Sequence, residues 1–341
     1  MLVQMGAVVK RAGSTPPFRG ADGAEMPGSI AQAFYLRIGG IEQWVMLRGE
    51  AIANPVLILL HGGPGFPETN LFRYFNSSLE STFTLVYWEQ RGTGKTFAAD
   101  LPESDMTIER FVRDLDELVD SVCLRLNKRK VAILGHSWGS ALGTLYAARH
   151  PDKVSAYVGT GQIGDLQASE LSSYAFVLGE AERRGNRRAL KQLRAIGKPP
   201  YTSKTIGIQR RWLTRFVGLM RGKTIWQTFR ALRGAPEASL LHVPNVFRGA
   251  MFSLRTMWSE LSRLNLEVSV PELKMPVFFF IGRHDHQVAA ETSLAYFDKL
   301  IAPSKQFVWF EESAHMPPFE EADKFNAKMI ELVAPVARAA S

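Results

Sequence analysis

Six short runs in this chain of 341 residues are apolar almost without interruption: 55–60 (PVLILL), 83–88 (FTLVYW), 130–135 (KVAILG), 154–159 (VSAYVG), 276–282 (PVFFFIG) and 306–311 (QFVWFE). A strand with one face in water alternates polar and apolar residues, whereas a strand apolar on both faces must be covered on both. Such strands suit a parallel sheet flanked by helices. Helical patterns lie between them at 107–126, 138–150, 289–301 and 319–333. The first opens at Thr107 and carries the stripe Ile108, Phe111, Leu115, Leu118, Val119, Val122. Ahead of them, 33–38 and 41–47 flank Gly39-Gly40 and read as a hairpin. The chain is therefore expected to be an α/β protein with a mostly parallel, doubly wound sheet.

The alternation breaks once. From 159 to 276 the sequence is helical and Arg-rich with no good strand, so an inserted helical cap is expected at 162–264. The body is then 29–161 with 265–341, and the Gly-, Ala- and Pro-rich stretch 1–28 is a loose leader. Of 41 Lys and Arg, 15 fall between Arg183 and Arg233, where there is no Asp or Glu, leaving 26 basic against 33 acidic residues elsewhere. The net charge of +8 thus belongs to the cap. A solvated face of several helices is the plain reading; an anionic substrate, a membrane surface or nucleic acid are the sharper ones. No nucleic-acid motif accompanies the charge, so no such partner is expected. Peripheral membrane contact would need an apolar face beside the charge. No run approaches the ~18 apolar residues of a membrane span, and 1–28 has no signal-type apolar core. The single cysteine, Cys123, excludes an internal disulfide. A cytoplasmic location is the expectation.

Gly135-His136-Ser137-Trp138-Gly139 matches G-x-S-x-G and stands between a strand and a helix. There the serine must occupy a strained turn that only small residues two positions either side tolerate. A hydroxyl needs a base within reach and a group to hold that base. In this architecture the acid and then the histidine follow the serine along the chain. Asp285 ends the turn after 276–282, and His315 lies in the loop after 306–311. Ser137 is expected as nucleophile, His315 as base and Asp285 as the orienting acid. His61-Gly62-Gly63-Pro64-Gly65 directly follows the first apolar strand, where glycines let backbone N–H groups approach a ligand. Gly63 and Trp138, the residue after the nucleophile, are the expected oxyanion donors.

HGGPG at 61–65, Trp88-Glu89-Gln90-Arg91-Gly92-Thr93-Gly94-Lys95-Thr96 and GHSWGS at 135–140 together resemble the proline iminopeptidase branch of the α/β hydrolases, over roughly 30–160 and 270–335. The resemblance implies an α/β-hydrolase fold and a cofactor-independent enzyme that removes an N-terminal residue, typically proline. Two features depart from the family pattern. Glu89 and Lys95-Thr96 stand where an aspartate and a terminal serine are frequent. The family also draws carboxylates partly from the cap to fix the substrate ammonium, and 183–233 has none; Glu170, Glu180, Glu182, Glu237 and Glu260 are the candidates left.

No cofactor is expected. Gly94-Lys95-Thr96 lacks the upstream glycine of a phosphate loop, and the G-x-G-x-x-G at 159–164 leads into the Arg-rich segment instead of a second strand. No His, Cys and carboxylate cluster has metal-ligand spacing. Gly62, Glu170, Tyr174, Tyr201 and Trp226 are the candidate substrate contacts. The expected function is a serine hydrolase working through an acyl-enzyme, an aminopeptidase on small or short-peptide substrates. The alternative is a carboxylesterase or amidase on a small acyl substrate, an anionic one if the basic segment recruits it. A binding protein on a hydrolase scaffold is the third reading.

Overall fold

The computed structural model of the chain describes residues 10–11, 15–217, 220–238 and 242–340. Its strands are β1 (Lys10–Arg11), β2 (Ile30–Ile38), β3 (Ile41–Gly49), β4 (Val56–Leu60), β5 (Thr84–Glu89), β6 (Val131–His136), β7 (Val154–Thr160), β8 (Val277–Gly282) and β9 (Lys305–Phe310). They form one sheet in the order β1-β2-β3-β5-β4-β6-β7-β8-β9. The hairpin β2–β3 is antiparallel and closes at Ile38 opposite Ile41. Gly39 and Gly40 both take positive φ, as a two-residue turn matched to the sheet twist requires. From β5 through β4, β6, β7, β8 and β9 every pairing is parallel. Every residue of β4 to β8 is buried, which is why those runs carry no polar alternation.

Helices cover both faces. One apolar cluster packs α2 (Ile108–Leu126), α3 (Trp138–Arg149) and α10 (Ala290–Lys299) against the sheet. The opposite cluster joins α1 (Thr69–Phe75) to the C-terminal helices α11 (Pro317–Glu320), α12 (Ala322–Lys328) and α13 (Ala334–Ala339). Thr107 caps α2 by accepting from Arg110 N at 3.2 Å. The single helix expected at 319–333 is instead broken, with a π-helical turn at Met329–Val333 before α13. Pro335 has no N–H to offer the Glu331 carbonyl, so the winding shifts there.

Between β7 and β8 the chain leaves the sheet through α4 (Leu166–Arg183), α5 (Arg187–Ile196), α6 (Ser203–Val217), α7 (Ile225–Gly234), α8 (Val243–Leu261) and α9 (Leu266–Ser269). These helices have an apolar centre of their own, built on Tyr174, Val177, Leu193, Ile206, Trp212 and Trp258. The exit and return strands of the excursion are clasped together: Leu166 N donates to Leu264 O at 3.0 Å, and Leu266 N to Gly164 O at 2.8 Å. Asn265 Nδ2 adds a bond to Asp165 Oδ2 at 2.9 Å.

The leader is not loose throughout. Arg48 on β3 is buried and must find acceptors, and it draws in residues 15–18: its Nη1 donates to Thr15 Oγ1 and to Pro16 O, and its guanidinium lies 4.6 Å from the Phe18 ring. Thr15 in turn donates to Glu237.

One buried ion cluster joins hairpin, sheet and α2. Asp114 and Arg91 are both fully buried; Arg91 Nε donates to Asp114 Oδ2 at 2.9 Å, and its Nη2 to Gly39 O at 2.8 Å. Gln43 and Arg110 also donate to the Asp114 carboxylate, each at 2.7 Å. Removing one partner of such a pair leaves an uncompensated charge in the interior. Asp114→Ala is expected to cost about 3–5 kcal/mol of unfolding free energy, measured by urea denaturation; a loss under about 1 kcal/mol would show that Arg91 is satisfied without it.

Candidate active site

The strand β6 ends at His136 and α3 begins at Trp138, so Ser137 alone makes the turn, at φ 54 and ψ −119. That conformation survives because neighbours leave no alternative. A Cβ on Gly139 would stand 2.0 Å from Leu60 O, and one on Gly135 would stand 2.4 Å from Gly139 O. Ser137 N donates to Thr160 O of β7 at 2.9 Å, which ties the turn to the next strand.

Asp285 and His315 come from the loops after β8 and β9, adjacent strands of the sheet. Asp285 is buried; its Oδ1 accepts from Gln287 N at 2.9 Å and Val288 N at 3.0 Å, and its Oδ2 faces His315 Nδ1 at 2.8 Å. The other ring nitrogen of His315, Nε2, is buried with no hydrogen-bond partner, so no bond to Ser137 is formed. The two loops close on Gly282, where a Cβ would stand 1.9 Å from Ala314 O. Leu213, Thr214 and Val217 of α6 cover this pair, enclosing about 50 Å³ with Asp285, Gln287 and His315.

A carboxylate that the sequence reading did not single out lies beneath these groups. Glu68 is buried; its Oε1 faces His136 Nδ1 at 2.6 Å and accepts from Gly62 N at 3.2 Å, while Oε2 has no partner. The opposite nitrogen of His136, Nε2, donates to the His315 carbonyl at 2.8 Å. The His136 and His315 rings stand 4.8 Å apart. A carbonyl at one nitrogen and a carboxylate at the other both favour the protonated form of the His136 ring. Burial opposes that charge, but the charge and hydrogen bond of Glu68 and the His315 carbonyl raise the His136 pKa above the usual 6.5. No spacing rule pointed to Glu68, which becomes a partner of His136 only through the fold.

His61 is neutral, its pKa lowered mainly by burial. Its Nε2 accepts from Gln90 N at 3.1 Å, and Gln90 Oε1 accepts from Trp138 Nε1 at 2.9 Å. The three sequence motifs are thereby bonded to one another. The two family departures also meet: Lys95 N donates to Glu89 Oε2 at 2.6 Å, and Thr96 Oγ1 to Glu89 O at 2.5 Å.

Among the described residues, the N–H groups of Gly63 and of Trp138, the first residue of its helix, donate to no protein acceptor. Gly62 differs from that pair, since its N–H is taken by Glu68, although its α-carbon lies against Ser137. The remaining candidate contacts have partners within the helical excursion or face solvent. Glu170 is buried against Arg210, which donates to it through both terminal nitrogens. Tyr174 donates to Leu193 O at 3.2 Å inside the helical excursion, and Tyr201 packs there with it. Trp226 is 80% exposed on α7, because α7 buries its opposite side. The other carboxylates proposed for an ammonium group are occupied as well: Glu180 by Arg183 and Arg184, Glu182 by Arg194, Glu237 by Arg73 and Glu260 by Ile108 N.

Comparison with known proteins agrees with this architecture. A family profile described as alpha/beta hydrolase fold matches residues 55–196. A probable aminopeptidase of Bacillus subtilis, YbaC, is 34% identical over 304 residues, covering 87% of this chain and 94% of the relative. A proline iminopeptidase of Saccharolobus solfataricus is 25% identical over 302 residues, covering 85% and 88%. Among solved structures, VinJ superposes with a TM-score of 0.64 at 21% identity over 91% of this chain and all of its own. The proline iminopeptidase of Mycobacterium smegmatis does so at 0.59 and 19%, with the same coverage. No described helix is long and apolar enough to cross a membrane. The chain belongs to the α/β-hydrolase family, in its proline iminopeptidase-like branch.

Proposed function

We propose that the chain is a serine hydrolase that works through an acyl-enzyme and releases N-terminal proline or a similar small residue from peptides. The observation that carries this reading is the Asp285–His315 pair, bonded at 2.8 Å with the far nitrogen of His315 unpartnered, and with its ring 4.8 Å from that of His136, the residue before a serine held in a strained strand-to-helix turn. In this reading Ser137 attacks the carbonyl carbon as His315 Nε2 takes its proton, and Asp285 stabilises the resulting imidazolium. The N–H groups of Gly63 and Trp138 receive the negative oxygen of the tetrahedral intermediate. His315 then protonates the departing amine, and water releases the acyl group by the same steps. The peptidase specificity draws support from the relatives named aminopeptidase and proline iminopeptidase.

A second reading, an esterase or amidase, has one observation in its favour. Each carboxylate that the sequence offered for the substrate's ammonium group already has a partner, and Glu170 is neutralised by Arg210. Chromogenic prolyl and alanyl arylamides and short acyl esters separate the two. Turnover of prolyl arylamide is expected; turnover of the esters alone would remove the peptidase assignment. Ser137→Ala is expected to lower kcat by ~10⁴-fold or more on whichever substrate is turned over, with the fold intact.

Glu68 acts in this scheme as a positioning residue, linking Gly62 to His136 and, through it, to the His315 backbone. A group whose folded pKa is raised stabilises the fold below its unfolded pKa, and that contribution is lost as pH rises through the folded value. In Glu68→Gln the His136 pKa is therefore expected to drop. The stability gap between wild type and variant is expected to be widest below pH 6.5 and to narrow towards alkaline pH, read by urea denaturation across a pH series. A gap independent of pH would mean that His136 is neutral in the wild type.

A further inference from the structure

The basic excursion has a face that neither the sheet nor the proposed site uses. Along α8, Val243, Phe247 and Met251 recur every fourth residue and point outward, 43%, 70% and 66% exposed. Met251 also borders an open groove between α8 and α6, floored by Ile208 and Leu254. Lys204, Arg211 and Arg248 rim that groove, all exposed, and no carboxylate among the described residues pairs with them. Arg255, two turns further along α8 and also on the groove, pairs with Glu103.

Protruding apolar side chains flanked by free cations are the two halves of an interfacial binding surface. Apolar residues alone would suit another protein, and cations alone would suit any polyanion. Here both lie on two adjacent helices, α6 within the stretch from Arg183 to Arg233 that holds 15 Lys and Arg and no carboxylate, and α8 just after it. A second copy of the chain is a poor occupant, because a two-fold contact through this face would bring two copies of the same basic rim together with no carboxylate between them. A small anionic ligand would leave Phe247 in water, since it stands outside the groove lining.

We propose that the α6–α8 face docks the protein on an anionic phospholipid surface, with Phe247 and Met251 entering the headgroup region and Lys204, Arg211 and Arg248 facing lipid phosphates. This assignment does not rest on the hydrolase reading. It concerns attachment to one leaflet, not passage through it.

The test is co-sedimentation of the full chain with phosphatidylcholine vesicles made with or without phosphatidylglycerol, at low and high salt. Wild type is expected to bind only the phosphatidylglycerol-containing vesicles, and less so as salt screens the charges. The double variant Arg211→Glu/Arg248→Glu is expected to lose about 100-fold or more in binding, since each basic residue near such a surface contributes separately. Phe247→Ser/Met251→Ser is expected to bind about 10-fold or more weakly at either salt concentration. Thermal unfolding of each variant, unchanged from wild type, shows that the surface alone was altered. Failure of wild type to bind, equal binding to pure phosphatidylcholine, or unaltered binding by both double variants would overturn the proposal. So would gel filtration showing a dimer that Phe247→Ser/Met251→Ser dissolves, without any vesicle binding.

Discussion

The turn between β6 and α3 leaves no room for one extra carbon atom on either side of Ser137, and the rest of the architecture depends on that closeness. Gly139 packs on the carbonyl of Leu60, the last residue of β4, and Gly135 packs on Gly139. A strained residue of this kind costs on the order of 1–3 kcal/mol and persists only where its surroundings over-determine it. Here the surroundings are β4, β7 and α3 together. The same contact that forces the serine outward also fixes where β4 ends, and so where the HGGPG loop begins.

The residues of the family motifs serve each other before they serve a substrate. His61, Gln90 and Trp138 form a relay of hydrogen bonds across three loops, while Glu68 and His136 form a second one beneath them. Arg91, at the centre of the WEQRGTG run, turns away from the serine altogether and holds Asp114. Such motifs read as chemistry in a sequence, yet much of their content is the cost of bringing buried polar groups together while leaving few unpaired.

That division explains what the sequence revealed. The strands, the hairpin and the Asp285–His315 pair are legible because each depends on local periodicity or on a position at a strand end, and Asp285 and His315 meet simply because β8 and β9 are neighbours. Partners far apart in the chain leave no such trace. Glu68 and His136 are separated by 68 residues, and Glu170 and Arg210 by 40, and nothing in either segment announces the other. The basic stretch concealed the pairing of Arg210 with the buried Glu170 in the same way, so Glu170 looked available. Trp226 gave no sign that it would stand exposed, because an aromatic on an amphipathic helix does not declare which side the fold will cover. The leader looked loose because its anchor, Arg48, sits in a different segment.

The clasp at Gly164–Leu166 and Leu264–Leu266 brings the two ends of the helical excursion side by side beyond the carboxyl end of β7. A segment whose ends meet in this way can lengthen, shorten or be exchanged in evolution while the strands below keep their register, provided the clasp itself is retained. Divergence among such proteins should therefore gather in the helices and spare the sheet, and grafting an excursion from one relative onto the body of another becomes a matter of matching two short backbone segments.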